Sequence, residues 1–144
     1  MRVALGSDMT GDLPEAIDRW LQERGHDVRR FGALEPGADD AWPSVGQSVG
    51  EAVAGGGADF GVLCCWTGTG VSIAANKVPG IRAALCADAP TARGAREWND
   101  ANVLCMSLRA TTVALAAEML EAWFAGSPTA DPAYAAMIDG LRSK

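Results

Sequence analysis

Cys65 closes an apolar run and stands just before a small, glycine-broken turn, in the stretch CCWTGTGVSIAANKVPGIRAALC that runs from Cys64 to Cys86. Gly68 and Gly70 let backbone N–H groups approach a ligand without side-chain obstruction. The helical pattern that follows adds the partial positive charge of a helix N-terminus. Together they make a cradle for a developing oxyanion, and a cysteine at such a helix entrance gains thiolate character. Isomerisation of a carbon acid needs this pairing: a base to take a proton from beside a carbonyl, and donors to hold the enediolate oxygen. The other reading of the same residues is that both cysteines fill a core and the glycines only make the turn. Successive side chains on a strand point to opposite faces, so one of Cys64 and Cys65 faces the core and the other is free to face the loop. Cys65, nearer the turn, is the candidate. The spacing is neither a G-x-G-x-x-G dinucleotide fingerprint nor a Walker loop.

The elements that must position this turn are legible from hydrophobic period. Apolar strand patterns occupy residues 2–6, 26–32, 59–65, 81–87 and 101–107. Between them lie amphipathic stretches: residues 13–25, with Leu13, Ala16, Ile17, Trp20 and Leu21 at helical spacing; a helix opened by Pro43, with Val45, Val49, Ala52 and Val53 on one face; and residues 71–80, 89–100 and 111–126. Asp12 is the expected cap of the first helix, Thr111 or Thr112 of the fifth, and Asp131 of a last helical stretch in the tail. Strands alternating with helices predict βαβ units, and hence a three-layer α/β/α sandwich around a five-stranded parallel, Rossmann-like sheet in a single domain over residues 1–144. Ligands in such folds bind beyond the carboxyl ends of the strands. Ser7 and Asp8, Cys65 to Gly70, Asp88, and Ser107 to Arg109 all fall there.

Composition narrows the function classes. The 144 residues carry a formal net charge of −6, which disfavours nucleic acid and acidic membrane surfaces as partners, since both need clustered cations. No apolar run approaches the ~20 residues that span a bilayer, and MRVALGSDMT enters a strand pattern directly, without a signal-peptide core. A cytoplasmic protein is expected. Four cysteines without a C-x-x-C pair, and one histidine, His26, argue against a zinc site and, in a reducing compartment, against disulfides. No cofactor is expected. Cys86 and Cys105 read as packing residues, and His26 as structural.

The stretch GTGVSIAANKVPGIRAALC is similar to the signature of the type B ribose-5-phosphate isomerases and their relatives, the galactose-6-phosphate isomerase subunits. ALGSDMTGDL resembles the family opening Gly-Ser/Cys-Asp-His-Ala-Gly, and REWNDANVLCMSLR the family stretch Arg-Glu-His-Asn-Asp-Ala-Asn-Val-Leu with its later arginine. Order and spacing agree from about Val3 to Trp123. The resemblance implies that Cys65 is the base of an aldose–ketose proton transfer, and that Thr67 and the backbone of Gly68, Thr69 and Gly70 hold substrate oxygens. It implies that Asp8 binds the sugar, that Asn99 reaches a substrate held by a partner subunit, and that Arg109 lies near a phosphate. It also implies a homodimer or homotetramer with shared sites, onto which the C-terminal helix packs.

The departures fall on the same positions. Met9 and Trp98 stand where the family has histidines, the second of which is credited with opening the sugar ring. Neither side chain shuttles a proton. Ala41-Trp42-Pro43 replaces Asp-Tyr-Pro, and Trp66 replaces the glycine after the cysteine. The tail keeps only Arg142 and Lys144 as cations, so Arg109, with Arg93 and Arg96 as further candidates, is a thin supply for a phosphate. Trp42, Trp66 and Trp98 would make an apolar-walled pocket, or else close a dead site or pack an interface. Trp20 and Trp123 read as core. The expected function is an isomerase acting through a cysteine base and an enediolate on an altered substrate, a sugar or hydroxy-carbonyl compound that is open-chain or not phosphorylated. The alternatives are an ordinary ribose 5-phosphate isomerase and a non-catalytic binding or regulatory protein on the same scaffold.

Overall fold

The computed structural model describes residues 1–142; Lys144 of the tail lies outside the described residues. The chain runs β1 (Arg2–Ser7), α1 (Asp12–Glu23), β2 (Asp27–Gly32), α2 (Trp42–Ala54), β3 (Phe60–Cys65), α3 (Thr69–Asn76), β4 (Ala83–Leu85), α4 (Ala89–Asn99), β5 (Val103–Ser107), α5 (Val113–Ala125) and α6 (Pro132–Arg142). The five strands form one sheet in the order β2-β1-β3-β5-β4, and all four pairings are parallel. The three-layer expectation holds.

Strand alternation sorts the core into two halves. Val3 and Leu5 of β1, Val62 and Cys64 of β3, and Leu104 and Met106 of β5 face α1, α4 and α5. Ala4, Leu63, Cys65, Val103 and Cys105 face α2 and α3. On the first side Leu13, Ile17 and Leu21 of α1 bury one stripe at i, i+4, i+8 against the sheet, and Trp123 of α5 is wholly enclosed. Each large apolar side chain so buried contributes about 1.5–3 kcal/mol. On the other side small residues let α2 and α3 approach closely: a Cβ on Gly46 would lie 2.7 Å from the Ala74 methyl of α3.

Several local expectations change. Gly11, not Asp12, is the N-cap of α1; its φ of 147° is open to glycine, and no side chain caps the helix. Asp12 is the first helical residue, where its charge still complements the helix dipole. Thr112 caps α5 through Leu115 N–H, and Asp131 accepts from Ala133 N–H at 2.9 Å. Helix α2 begins at Trp42, so this tryptophan leaves the loop. Helix α3 begins two residues earlier than the apolar period shows, at Thr69. The fourth strand shrinks to Ala83–Leu85, and on its outer edge the Asn76 side chain takes both Ala83 backbone groups, at 2.8 and 2.9 Å. Trp20 is half-buried, sandwiched between Phe124 and the Arg24 guanidinium, rather than core. Helix α6 rests on α4 and buries only Ile138.

Candidate active site

The winding of the chain reverses between β1 and β3: β1 is followed by β2 on one side, and the chain then crosses to β3 on the other. Loops diverge at such a switch point and leave a crevice at the carboxyl edge. Asp8 follows β1 there, and Cys65 ends β3.

Cys65 is packed on the α2/α3 side and keeps 5% of its surface exposed, while Cys64 and Cys105 keep none. Both cysteines of the pair are therefore buried, on opposite faces of the sheet. Burial pushes the Cys64 thiol up to about 12, with its neighbours Cys65 and Asp8 adding to the shift, and the Cys86 thiol up to about 11. Burial raises Cys105 as well. These three are inert packing residues.

The turn after Cys65 is fastened from β5. Leu108 N–H donates to the Cys65 carbonyl at 2.9 Å, and Arg109 N–H to the Trp66 carbonyl at 3.0 Å. The Ser107 hydroxyl donates to the same Trp66 carbonyl at 2.9 Å. Gly68 then caps α3 in the left-handed conformation, φ 78°, with no side-chain hydrogen bond. The first amides of α3 are thus left to a ligand or water. Thr67 and Thr69 share a 2.7 Å hydroxyl hydrogen bond beside them. Gly70 lies under the Trp42 indole: a Cβ there would stand 2.8 Å from a ring carbon. Trp66 and Arg109 are exposed, and among the described residues the Arg109 guanidinium has no ion pair.

Asp8 and Met9 open onto a hollow of about 420 Å³ whose far wall includes Gly32, Glu35 and Asp40; Cys65 does not line it. One Asp8 carboxylate oxygen is buried without a hydrogen-bond partner. Burial, with Asp40 across the hollow, holds this carboxyl above its ordinary range, against the pull of a backbone hydrogen bond. An orphaned acceptor of this kind is costly unless a ligand satisfies it. Met9 is held through its backbone to the Ser7 hydroxyl, at 2.6 and 3.2 Å, and its side chain is exposed.

The structure does not bring Trp98 and Asn99 to this edge. They end α4, which runs back from the carboxyl to the amino edge, and the six residues of β3 separate those edges by about 17 Å. Trp98 folds back onto Gly94 of its own helix, so Trp66 and Trp98 share no cavity within one chain. Asn99 is exposed and borders a second hollow, about 630 Å³, with Lys77, Arg82 and Leu141. Arg96 is also excluded from the Cys65 loop: it is buried, ion-paired with Asp100 and stacked over Phe60. Arg93 borders hollows against α5 instead. His26 packs against both Trp20 and Phe124, which also touch each other, beside the N-terminal amine. Desolvation, then the amine's charge, lowers its pKa. Residue types did not reveal Asp40, which faces Asp8 only because the β2–α2 loop folds back. Nor did they reveal Ser107 as the clamp of the turn.

A parallel sheet with a clamped glycine turn and an uncapped helix start at its switch point defines an α/β scaffold with a candidate ligand site at the carboxyl edge. The profile of the Ribose/Galactose Isomerase family matches residues 3–139. The chain is 41% identical over 123 residues to ribose-5-phosphate isomerase B of Escherichia coli, covering 85% of this chain and 82% of that one. It is 36% identical to D-erythrulose-4-phosphate isomerase of Pectobacterium atrosepticum, covering 85% and 82%. The solved ribose-5-phosphate isomerase B of Clostridium thermocellum superposes with a TM-score of 0.90 at 38% identity, covering 99% of this chain and 96% of that one. The chain belongs to the ribose/galactose isomerase family and is an isomerase of the aldose–ketose class. Among the described residues no helix is long and apolar enough to cross a membrane.

Proposed function

We propose that the protein interconverts an aldose and a ketose that reach it in open-chain form, with Cys65 as the base. The observation that carries this reading is the placement of Cys65 at the β1/β3 switch point, immediately before the uncapped start of α3. The Cys65 sulfur takes the proton from the hydroxyl-bearing carbon beside the carbonyl. The electron pair of that C–H bond becomes the carbon–carbon double bond, and the carbonyl oxygen becomes an oxyanion facing the amides of Gly68 to Gly70 and the Thr67 hydroxyl. Return of the proton to the neighbouring carbon, with transfer of the hydroxyl proton between the two oxygens, completes a redox-neutral exchange. Asp8 accepts from a sugar hydroxyl through its unpartnered oxygen, Trp42 and Trp66 wall the site, and Arg109 supplies its cation. Met9 flanks it where the resemblance expects an imidazole, whereas Trp98, carried with Asn99 to the opposite edge, reaches such a site only in another copy. Asn99 of one copy serves the site of another in a homodimer or homotetramer, since the topology keeps it from its own Cys65.

The open-chain requirement follows from the single histidine, which is stacked away from the site and cannot open a ring. It admits sugar phosphates too short to cyclise as well as unphosphorylated hydroxy-ketones. The 41% identity to the Escherichia coli enzyme favours a second reading, turnover of ribose 5-phosphate itself. Candidate ketoses incubated in deuterated water separate these. Exchange beside the carbonyl that vanishes in Cys65→Ala is expected, fastest for compounds without a ring form. Ribose 5-phosphate turnover at about 1–1,000 per second would establish the second reading instead, and tight binding without exchange would leave a binding protein.

A further inference from the structure

The amino edge of the sheet holds a cluster that the proposed reaction does not use. Asp100 follows Asn99 and, among the described residues, is the one non-glycine residue with a positive φ, 46°. This C-terminal helix position favours glycine or asparagine. Here its carboxylate, 14% exposed, is shared by three guanidiniums: Arg82 at 3.3 Å, Arg96 at 3.1 Å, and Arg142. They come from three different parts of the fold: the segment before β4, the last turns of α4, and the end of α6. The surrounding backbone is held as firmly. Arg82 Nε donates to the Asp100 carbonyl at 2.7 Å, Arg96 donates to the Ala101 carbonyl at 2.6 Å, and Ala101 N–H reaches back to the Ala95 carbonyl at 3.0 Å. The Asn102 side chain accepts from Arg82 N–H at 2.8 Å and donates to the Gly80 carbonyl at 3.0 Å. Amid this, the Asn99 side chain makes no hydrogen bond within the described residues and stands at the mouth of the 630 Å³ hollow.

A helix end needs one glycine to stop. Three cations converging on a strained aspartate, Arg96 from the same helix and Arg82 and Arg142 from distant parts of the chain, do more: they restrain the backbone beneath a side chain that has no hydrogen bond of its own among the described residues. We propose that Asp100 is a positioning residue, clasped by Arg82, Arg96 and Arg142 to fix Asn99 in the orientation that meets substrate in the site of a neighbouring copy. The inference rests on the shared-site reading given above. It adds a role for the end of α6: Arg142 ties the C-terminal helix to Asn99, so that helix is part of the donor's frame. A misplacement of about 1 Å at a contacting group lowers turnover by up to ~100-fold, and a loosened Asn99 loses activity in that range.

The test is complementation between copies co-expressed with different tags and purified as mixed assemblies. Cys65→Ala with Asn99→Ala comes first: one site then pairs an intact cysteine with an intact asparagine, and activity returns. Cys65→Ala with Asp100→Ala should recover in the same way, because Asp100 acts through the neighbour's site. Recovery in the first mixture and not in the second overturns the Asp100 proposal alone. Failure in both overturns the shared-site reading together with it. Asp100→Asn, which tolerates the left-handed backbone and keeps hydrogen-bonding capacity, guards against misfolding and should retain more activity than Asp100→Ala. In single variants, Asp100→Ala should lower kcat/KM by about 10- to 100-fold, in the same parameter that Asn99→Ala alters. The double variant should be no worse than Asn99→Ala; additive losses would show that Asp100 acts elsewhere.

Discussion

At the carboxyl edge of the sheet, groups able to act are left with few partners: an Asp8 oxygen with none, α3 amides without a cap and an Arg109 guanidinium without an ion pair among the described residues. At the amino edge the polar groups after Asn99 are mostly bonded, while the Asn99 side chain has no hydrogen bond among the described residues. The first edge is poised to be completed by a ligand. The second is rigid and offers one group outward. Under the shared-site reading proposed above, a chain that supplies parts to two sites, its own and a neighbour's, has reason to be built this way: the receiving site adapts to substrate, whereas the donated group arrives already oriented.

The largest expected effect breaks this comparison at the carboxyl edge. Cys65→Ala should lower kcat by about 10²–10⁴ and abolish solvent exchange at the substrate carbon, with little change in thermal unfolding, since one sulfur is removed from a site at the rim of the core. Alkylation should modify Cys65 before the other three thiols, read by peptide mass, because Cys65 sits at a strand end and keeps 5% of its surface exposed, against 2% for Cys86 and none for Cys64 and Cys105. Full activity in Cys65→Ala would falsify the base assignment.

A smaller effect sharpens the contrast within the turn itself. Gly68→Ala combines a φ of 78° with a Cβ 2.9 Å from the Met106 backbone, which cannot yield. It should destabilise by about 2–4 kcal/mol, a fall in Tm of about 5–12 °C. For Gly70→Ala the nearest atoms are those of the Trp42 ring, at 2.8 Å, and that side chain is exposed and can swing away. Its Tm should stay within about 2 °C while KM rises, because the indole leaves the wall of the site. Equal Tm losses in the two variants would mean that Trp42 is a structural prop and not a wall.

The order of elements was legible because each obeys a clean period: Leu13, Ile17 and Leu21 are helical by spacing, and the alternation of Val62, Leu63 and Cys64 in β3 sorts them to opposite faces. Cys65 and Gly68 to Gly70 were legible as a turn at a strand end. What the linear pattern could not show was distance across the fold. Asn99 reads as part of the same chemistry as Cys65, yet α4 carries it to the opposite edge, and Trp98 goes with it. The clasp on Asp100 was hidden for the same reason, since Arg82, Arg96 and Arg142 are scattered along the chain and only the packing of α6 on α4 gathers them. The first helix cap was misassigned because Asp12 and Gly11 are adjacent and the backbone angle of Gly11 decided between them.

The smallest expected effect concerns Asp8. Burial keeps its folded-state pKa above the unfolded value, so the native chain binds this proton more tightly than the unfolded one. Its contribution therefore opposes folding at neutral pH, and the penalty fades as pH falls through the raised value toward about 4. Asp8→Asn removes the charge while keeping the shape. It should raise stability at pH 7 by less than about 1 kcal/mol, given the partial exposure of the group, or a Tm gain of about 1–3 °C. The two proteins should converge near pH 3. The same variant should lose activity and also lose part of the Tm increase that substrate gives the parent. A variant less stable than the parent at pH 7 would show that Asp8 is satisfied within the chain, and the carboxyl edge would then lack its unpaired acceptor. Greater stability joined to weaker binding is the signature expected of an acceptor held open for a sugar hydroxyl.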